Sequence, residues 1–167
     1  MKVSILGLSP TRDQAPCDGW EVWGMAWDCE ALSMDRVFEM HDRSLVSDFA
    51  RLNDCRRVYV QQAMPEAPEA IVYPFDEVAK TTGAYWCSSV GYMLALAIHE
   101  GATDIALYGV DGTEQYSYQH PNINFLIGLA MGKGINVHLP AGCPLLQFVS
   151  DPDFPYVERY GNFNAAL

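Results

Sequence analysis

Positive charge is scarce in this sequence. Of 167 residues, 10 are Lys or Arg against 21 Asp and Glu, a formal net charge of -11 at pH 7. A surface this acidic repels phosphate backbones and anionic headgroups, so duplex nucleic acid or a membrane surface would need a local basic patch. Arg56-Arg57 is the only basic pair, and no such patch is visible. Long apolar runs are missing too: nothing approaches the roughly 20 residues that span a bilayer. The opening MKVSILGLSP has too short an apolar stretch for the core of an export signal and reads as a first strand. The five cysteines, Cys17, Cys29, Cys55, Cys87 and Cys143, show no CxxC and no histidine at ligand spacing. That speaks against a metal site and against a disulfide framework. Buried free thiols and a cytoplasmic location are the expectation. Neither a Walker A loop nor a GxGxxG fingerprint occurs, which removes the usual support for an ATPase or a nicotinamide-dependent dehydrogenase.

What is present is a globular composition, with 50% hydrophobic and 19% charged residues, in a length that suits one domain. Short apolar runs that end in turn residues predict strands at 2–6, 20–25, 36–40, 57–60, 104–108 and 135–139, with 71–73 a short strand or an extended segment. Ser88-Ser89 precedes VGYMLALAIHEG, where Val90, Met93, Leu94, Ala97 and Ile98 share one helical face. Serine is the expected N-cap and Gly101 the stop. Pro121 opens a second helix to about Gly132, with Ile123, Leu126, Ile127 and Ala130 on one face. Strands alternating with helices imply an α/β Rossmann-like three-layer sandwich with a mostly parallel sheet over residues 1–146. Residues 147–167 form an aromatic, Pro-containing tail that straps its own core or packs on a second copy of the chain.

In such folds the ligand lies beyond the carboxyl ends of the strands. Four groups fall there: Gly7 to Thr11, His41-Asp42, Ser88-Ser89, and Gly109 to Asp111. The first is a small-residue loop whose amides can approach a phosphate or can simply form a turn. Ser88-Ser89 caps a helix whose N-terminus carries a partial positive charge, and one of the two hydroxyls is left over for a ligand. Asp111 follows a central strand and can accept hydrogen bonds from a sugar hydroxyl or cap its own turn. His41 and Asp42 point to opposite faces of their strand, and a purely structural reading suits them better. His99 is expected on the solvent side of its helix, and His138 within a strand. The loop Glu114 to His120 (EQYSYQH) combines tyrosines, amides and an imidazole, a mixture suited to gripping a polar ligand. His120 can take a proton from an attacking hydroxyl.

Gly7-Leu8-Ser9-Pro10-Thr11 resembles the GNGPS-type loop of bacterial sialyltransferases of glycosyltransferase family 42. Ser88-Ser89-Val90-Gly91-Tyr92-Met93 is similar to that family's serine segment before a long helix. Leu107-Tyr108-Gly109-Val110-Asp111 resembles its strand ending in G-[IV]-D, and Cys143-Pro144-Leu145-Leu146 its terminal SPL-type segment. The framework is also similar to MptE-like pterin pyrophosphokinases and to short proteins of phage genomes. The resemblance implies a nucleotide or nucleotide-sugar ligand on Gly7, Ser9, Thr11, Ser88, Ser89, Gly109 and Asp111. It further implies that Tyr116 and Tyr118 contact the phosphate and that His120 is the catalytic base. Two other readings stay open: a non-catalytic nucleotide-sequestering protein of phage type, and a Mg2+-dependent pyrophosphokinase with Asp42, Asp111 or Glu114 near the metal.

Overall fold

Strand-forming runs rich in Val, Ile and Leu meet the expected turns, and the computed structural model, which describes residues 1–28, 33–110 and 114–146, builds one sheet from them. Its strands are β1 (Lys2–Leu6), β2 (Glu21–Met25), β3 (Arg36–Glu39), β4 (Val58–Val60), β5 (Ile71–Val72), β6 (Asp104–Tyr108) and β7 (Asn136–His138). They lie in the order β5-β4-β3-β2-β1-β6-β7, and every pairing is parallel. The expected mostly parallel sheet is therefore wholly parallel among the described residues. β2 sits at its centre, and β1 and β6 are interior strands to one side of it. Val3, Ile5, Ile105 and Leu107 are buried, as a sheet covered on both faces requires.

The helices are α1 (Phe49–Asp54), α2 (Phe75–Thr82), α3 (Ser89–His99) and α4 (His120–Gly132). α3 crosses β1, β2 and β3 and is flanked by α2 and α4. The spacing of its apolar residues predicts a single buried face, but Val90, Gly91 and every residue from Met93 to Ile98 are buried. Three packed neighbours leave it little solvent. His99 is drawn into the contact with α2, where its Nδ1 lies 2.9 Å from the Thr81 hydroxyl, not on an outer side. The opposite face of the sheet is covered more thinly. α1 contributes one buried residue, Leu52, to a cluster with Leu6, Val22, Val37, Val58 and Val60.

The amino ends of the strands are tied together by Arg36, which is 4% exposed. Its guanidinium lies 3.0 Å from Glu21 and 2.7 Å from Glu100, donates to the Tyr59 hydroxyl at 3.2 Å and sits 4.4 Å over the Trp23 ring. Burial alone would lower its pKa, yet the hydrogen bond and charge of Glu100, with Tyr59 and Glu21, hold it above the ordinary value.

The expectation of buried free thiols is corrected. Cys55 is disulfide-bonded, Cys17 and Cys87 are exposed thiols, and Cys143 is a buried one. The thiols are thus neither all unpaired nor all buried, because residue spacing along a chain says nothing about which loops its fold brings together. His138 lies within β7, as expected of it, half-exposed on this edge strand and paired with Asp104 at 3.2 Å. Cys29 and the aromatic tail lie outside the described residues. No helix among the described residues is long and apolar enough to cross a membrane.

Candidate functional site

The strand order reverses between β1 and β6. From β1 the chain builds outward through β2 to β5, then returns through α2 and α3 to place β6 on the other side. Loops leaving neighbouring strands in opposite directions open a crevice at their carboxyl ends. A cleft of about 890 Å3 lies there. Gly7 and Ser9 line it from the loop after β1, Gly109 from the end of β6, and Ser88 and Ser89 from the start of α3. Tyr116, Tyr118 and His120 close it from the segment Glu114–Gln119 and the first turn of α4. Segments more than eighty residues apart in the chain are thereby brought to one hollow.

The loop after β1 is held by β6. The Gly7 amide donates to the Tyr108 carbonyl at 2.7 Å and the Ser9 amide to the Gly109 carbonyl at 3.0 Å. These two donors are spent on the backbone, as in the turn alternative raised for this loop. The smallness of Gly7 serves close packing: a Cβ there would overlap the carbonyl of Gly109. Gly109 itself has φ +71, a conformation that suits glycine. Thr11 does not line the cleft. Its hydroxyl accepts from the Gly109 amide at 2.9 Å and so fixes the turn after β6. What the loop offers a ligand is the Ser9 side chain and the 54% exposed Leu8.

The start of α3 is more open. Ser88 is the N-cap, its hydroxyl accepting from the Gly91 amide at 3.1 Å, while the Tyr92 amide donates to the Ser88 carbonyl. That leaves the amides of Ser89 and Val90, the first two of the helix, without an intrahelical acceptor. Both residues line the cleft. The Ser89 hydroxyl is the spare one foreseen from the serine pair. Position is set by a residue the sequence did not single out, Asn122 of α4, which is fully buried. It accepts from the Cys87 amide at 3.4 Å and donates to the Tyr85 carbonyl. A Cβ at Gly91 would lie 2.5 Å from its Oδ1. Asn122 therefore clamps the starts of α3 and α4 together, and His120 with them. Burial pushes the Cys87 thiol and the Tyr92 phenol up from their ordinary pKa values.

Across the cleft the structure adds a pair that the sequence reading left as structural. His41 lines the cleft, and its Nδ1 lies 2.5 Å from Oε1 of the buried Glu39. Asp42, its neighbour in sequence, instead accepts from the Ser44 amide and hydroxyl. Strand alternation does not give this pairing, because β3 ends at Glu39 and His41 lies two residues beyond it; the turn of the chain there brings the imidazole back onto the carboxylate. Asp111 lies outside the described residues. Asp42 is not a lining residue, and no group of three His, Cys, Asp or Glu among the described residues is placed to hold a metal ion.

Comparison with solved structures finds the same architecture. The structure of the sialyltransferase CstII from Campylobacter jejuni in complex with the substrate analogue cytidine-5'-monophosphate matches with TM-score 0.55 and 18% identity, over 96% of this chain and 84% of that one. A mutant of alpha-2,3/8-sialyltransferase CstII matches with TM-score 0.57 and 20% identity, over 86% and 82%. The likeness establishes the fold. No family model matches the chain, and no curated protein matches it in sequence. The α/β Rossmann-like fold inferred from strand and helix order is thus shared with a nucleotide-binding glycosyltransferase, at an identity too low to carry residue roles across.

Proposed function

We propose that the cleft binds a cytidine-type nucleotide and that the protein is a small sialyltransferase-like glycosyltransferase using a nucleotide-activated sugar. The observation that supports this most is convergence: the turn after β1, the end of β6 and the start of α3 line one hollow at the switch point. The structurally similar CstII was solved with cytidine-5'-monophosphate and with CMP-3FNeuAc. In this reading the phosphate sits on the Ser89 and Val90 amides, where the helix start carries a partial positive charge. Ser9, Ser88, Ser89 and Gly109 surround the nucleotide, Gly7 and Thr11 hold the loops, and Tyr116 and Tyr118 donate to the phosphate. Asp111 completes the ribose contacts. The reaction is a direct displacement: an acceptor oxygen bonds to the anomeric carbon, the carbon–phosphate-oxygen bond breaks, and the nucleotide leaves with the electron pair. An imidazole takes the acceptor proton, the role expected of His120.

The site works without a metal in this reading. Asp42 is committed to Ser44, so no observation favours the Mg2+-dependent pyrophosphokinase alternative. The exposed apolar Leu8 in the cleft wall favours, as the second reading, a phage-type protein that binds a nucleotide without turnover. A cytoplasmic location belongs to both readings. Isothermal titration with CMP, followed by an assay of CMP release from CMP-sialic acid with sugar acceptors, separates them. The transferase binds and turns over, the sequestering protein binds only, and a cleft that takes no nucleotide removes both.

A further inference from the structure

We propose that Glu39 and His41 form the acid–base pair of the cleft, with His41 taking the proton of the attacking hydroxyl. The inference rests on the reading of the cleft as a transfer site and moves the base from His120 to His41.

Glu39 ends β3 with its side chain 8% exposed. The carboxylate has two partners, both on His41: the backbone amide at 3.1 Å and Nδ1 at 2.5 Å. A buried carboxylate is costly unless it is compensated, and here the imidazole is what compensates it. Other charges in the neighbourhood are engaged elsewhere: Asp42 with Ser44, Arg43 with Glu66, and Asp28 with Arg12. A carboxylate that accepts from Nδ1–H fixes the tautomer and leaves Nε2 with its lone pair directed away from the strand. The His41 side chain is 47% exposed and lines the cleft, so that lone pair is open to a substrate. His120 lines the cleft as well but is placed differently. Its Nε2 is buried and has no hydrogen-bond partner among the described residues, so it offers no exposed lone pair to a substrate.

Trp27 stands beside His41, with ring centroids 6.5 Å apart and nearly perpendicular. It is 55% exposed and lines the same cleft. An exposed indole face next to a base suits an acceptor with an apolar C–H face and hydroxyls at its edge, which describes a sugar. In the step, the acceptor O–H proton passes to Nε2 while its oxygen bonds to the anomeric carbon. The bond from that carbon to the phosphate oxygen breaks, and Glu39 steadies the imidazolium that results. Glu39 is the positioning residue and His41 the catalytic one.

The test uses CMP as the binding probe, CMP-sialic acid as donor, and 15N-histidine NMR of the free protein. His41→Asn is expected to lower kcat by about 10²–10⁴-fold with the Kd for CMP unchanged. Glu39→Gln, nearly the same shape and so compatible with folding, is expected to lower kcat by at least about 10-fold through the wrong tautomer, and Glu39→Asp to recover part of it. The NMR spectrum of the unmodified protein should show His41 protonated on Nδ1, and Glu39→Gln should lose that signature. His41→Asn turning over at the unmodified rate, or His41 protonated on Nε2 instead, would overturn the proposal. If the unmodified protein binds no CMP, the failure lies with the transfer reading, and the tautomer still reports on the pair by itself.

Discussion

The two ends of the sheet are built on opposite terms. At the amino ends of the strands, buried Arg36 has its charge compensated by Glu21 and Glu100, donates to Tyr59 and lies over the face of Trp23, although its Nε faces Glu21 without a well-directed hydrogen bond. At the carboxyl ends, the first amides of α3 lack intrahelical acceptors, His120 keeps an unpartnered Nε2, and large side chains such as Leu8, Trp27, Tyr116 and Tyr118 stay exposed. One helix links the two. α3 begins at the cleft and ends at Glu100, its C-cap residue, which is anchored on Arg36. The comparison teaches that charge compensation at one end anchors the helix, so that its other end can be left open for a ligand.

The largest expected effect lies at the cleft floor. Gly7→Ala forces a Cβ into the Gly109 carbonyl, and neither strand end can move without breaking the hydrogen bonds from Gly7 and Ser9. We expect a loss of about 3 kcal/mol in urea unfolding, together with loss of CMP binding. Gly24→Ala is its control. A Cβ there meets the flexible end of Met34 at 2.6 Å, so about 1 kcal/mol is expected. Equal costs for the two would remove the distinction between rigid and yielding contacts.

Next in size is Arg36→Met, which leaves Glu21 and Glu100 without their partner. Those carboxylates keep side-chain exposures of 32% and 29%, so the cost falls to about 2–3 kcal/mol, below that of a fully buried pair. CMP affinity should not change in the folded variant. A folded variant that binds CMP poorly would show that the two ends are not separable.

Ser88→Ala removes an N-cap and is expected to cost about 1 kcal/mol, with CMP bound several-fold more weakly. Stability loss with unchanged affinity would confine Ser88 to capping. The smallest effect concerns acid. Hydrogen bonds from His138 and then Thr103 and Asn136 hold the Asp104 carboxyl below its ordinary value. Its contribution is present above the unfolded pKa near 3.8 and is lost as the pH falls through the lower folded value. Asp104→Asn should therefore make stability slightly less sensitive to acid below about pH 4, measured by thermal melts across pH, with no effect at the cleft.

Most of the fold was legible because the interior strands β1 and β6 and the helix α3 carry strong local signals. DIALY and KVSIL are apolar runs cut off by glycine, and Ser88 precedes an apolar helix. α1 was not foreseen, since six residues with one buried side chain leave almost no periodicity. α2 was missed although Asp76 and Glu77 in its first turn and Gly83 at its end mark it, because the proline-rich passage before it reads as loop. The convergence of Gly7, Ser88 and Gly109 followed from the rule that sites gather at strand ends. Which of their amides remain open did not, since that depends on pairings such as Gly7 with Tyr108 that only the fold creates. The Glu39–His41 pair was not legible, because His41 lies past the end of β3, where strand alternation no longer says which way a side chain points. Asn122 gave no signal, because its clamp joins segments about 35 residues apart.

The most direct test of the account is a crystal structure of the protein soaked with CMP. The account predicts the phosphate on the Ser89 and Val90 amides, with the nucleoside lying along Ser9 and Gly109 and the sugar-bearing side of the phosphate open toward His41. Density for CMP elsewhere on the surface, or an empty cleft in a crystal whose lattice leaves it open, would contradict it.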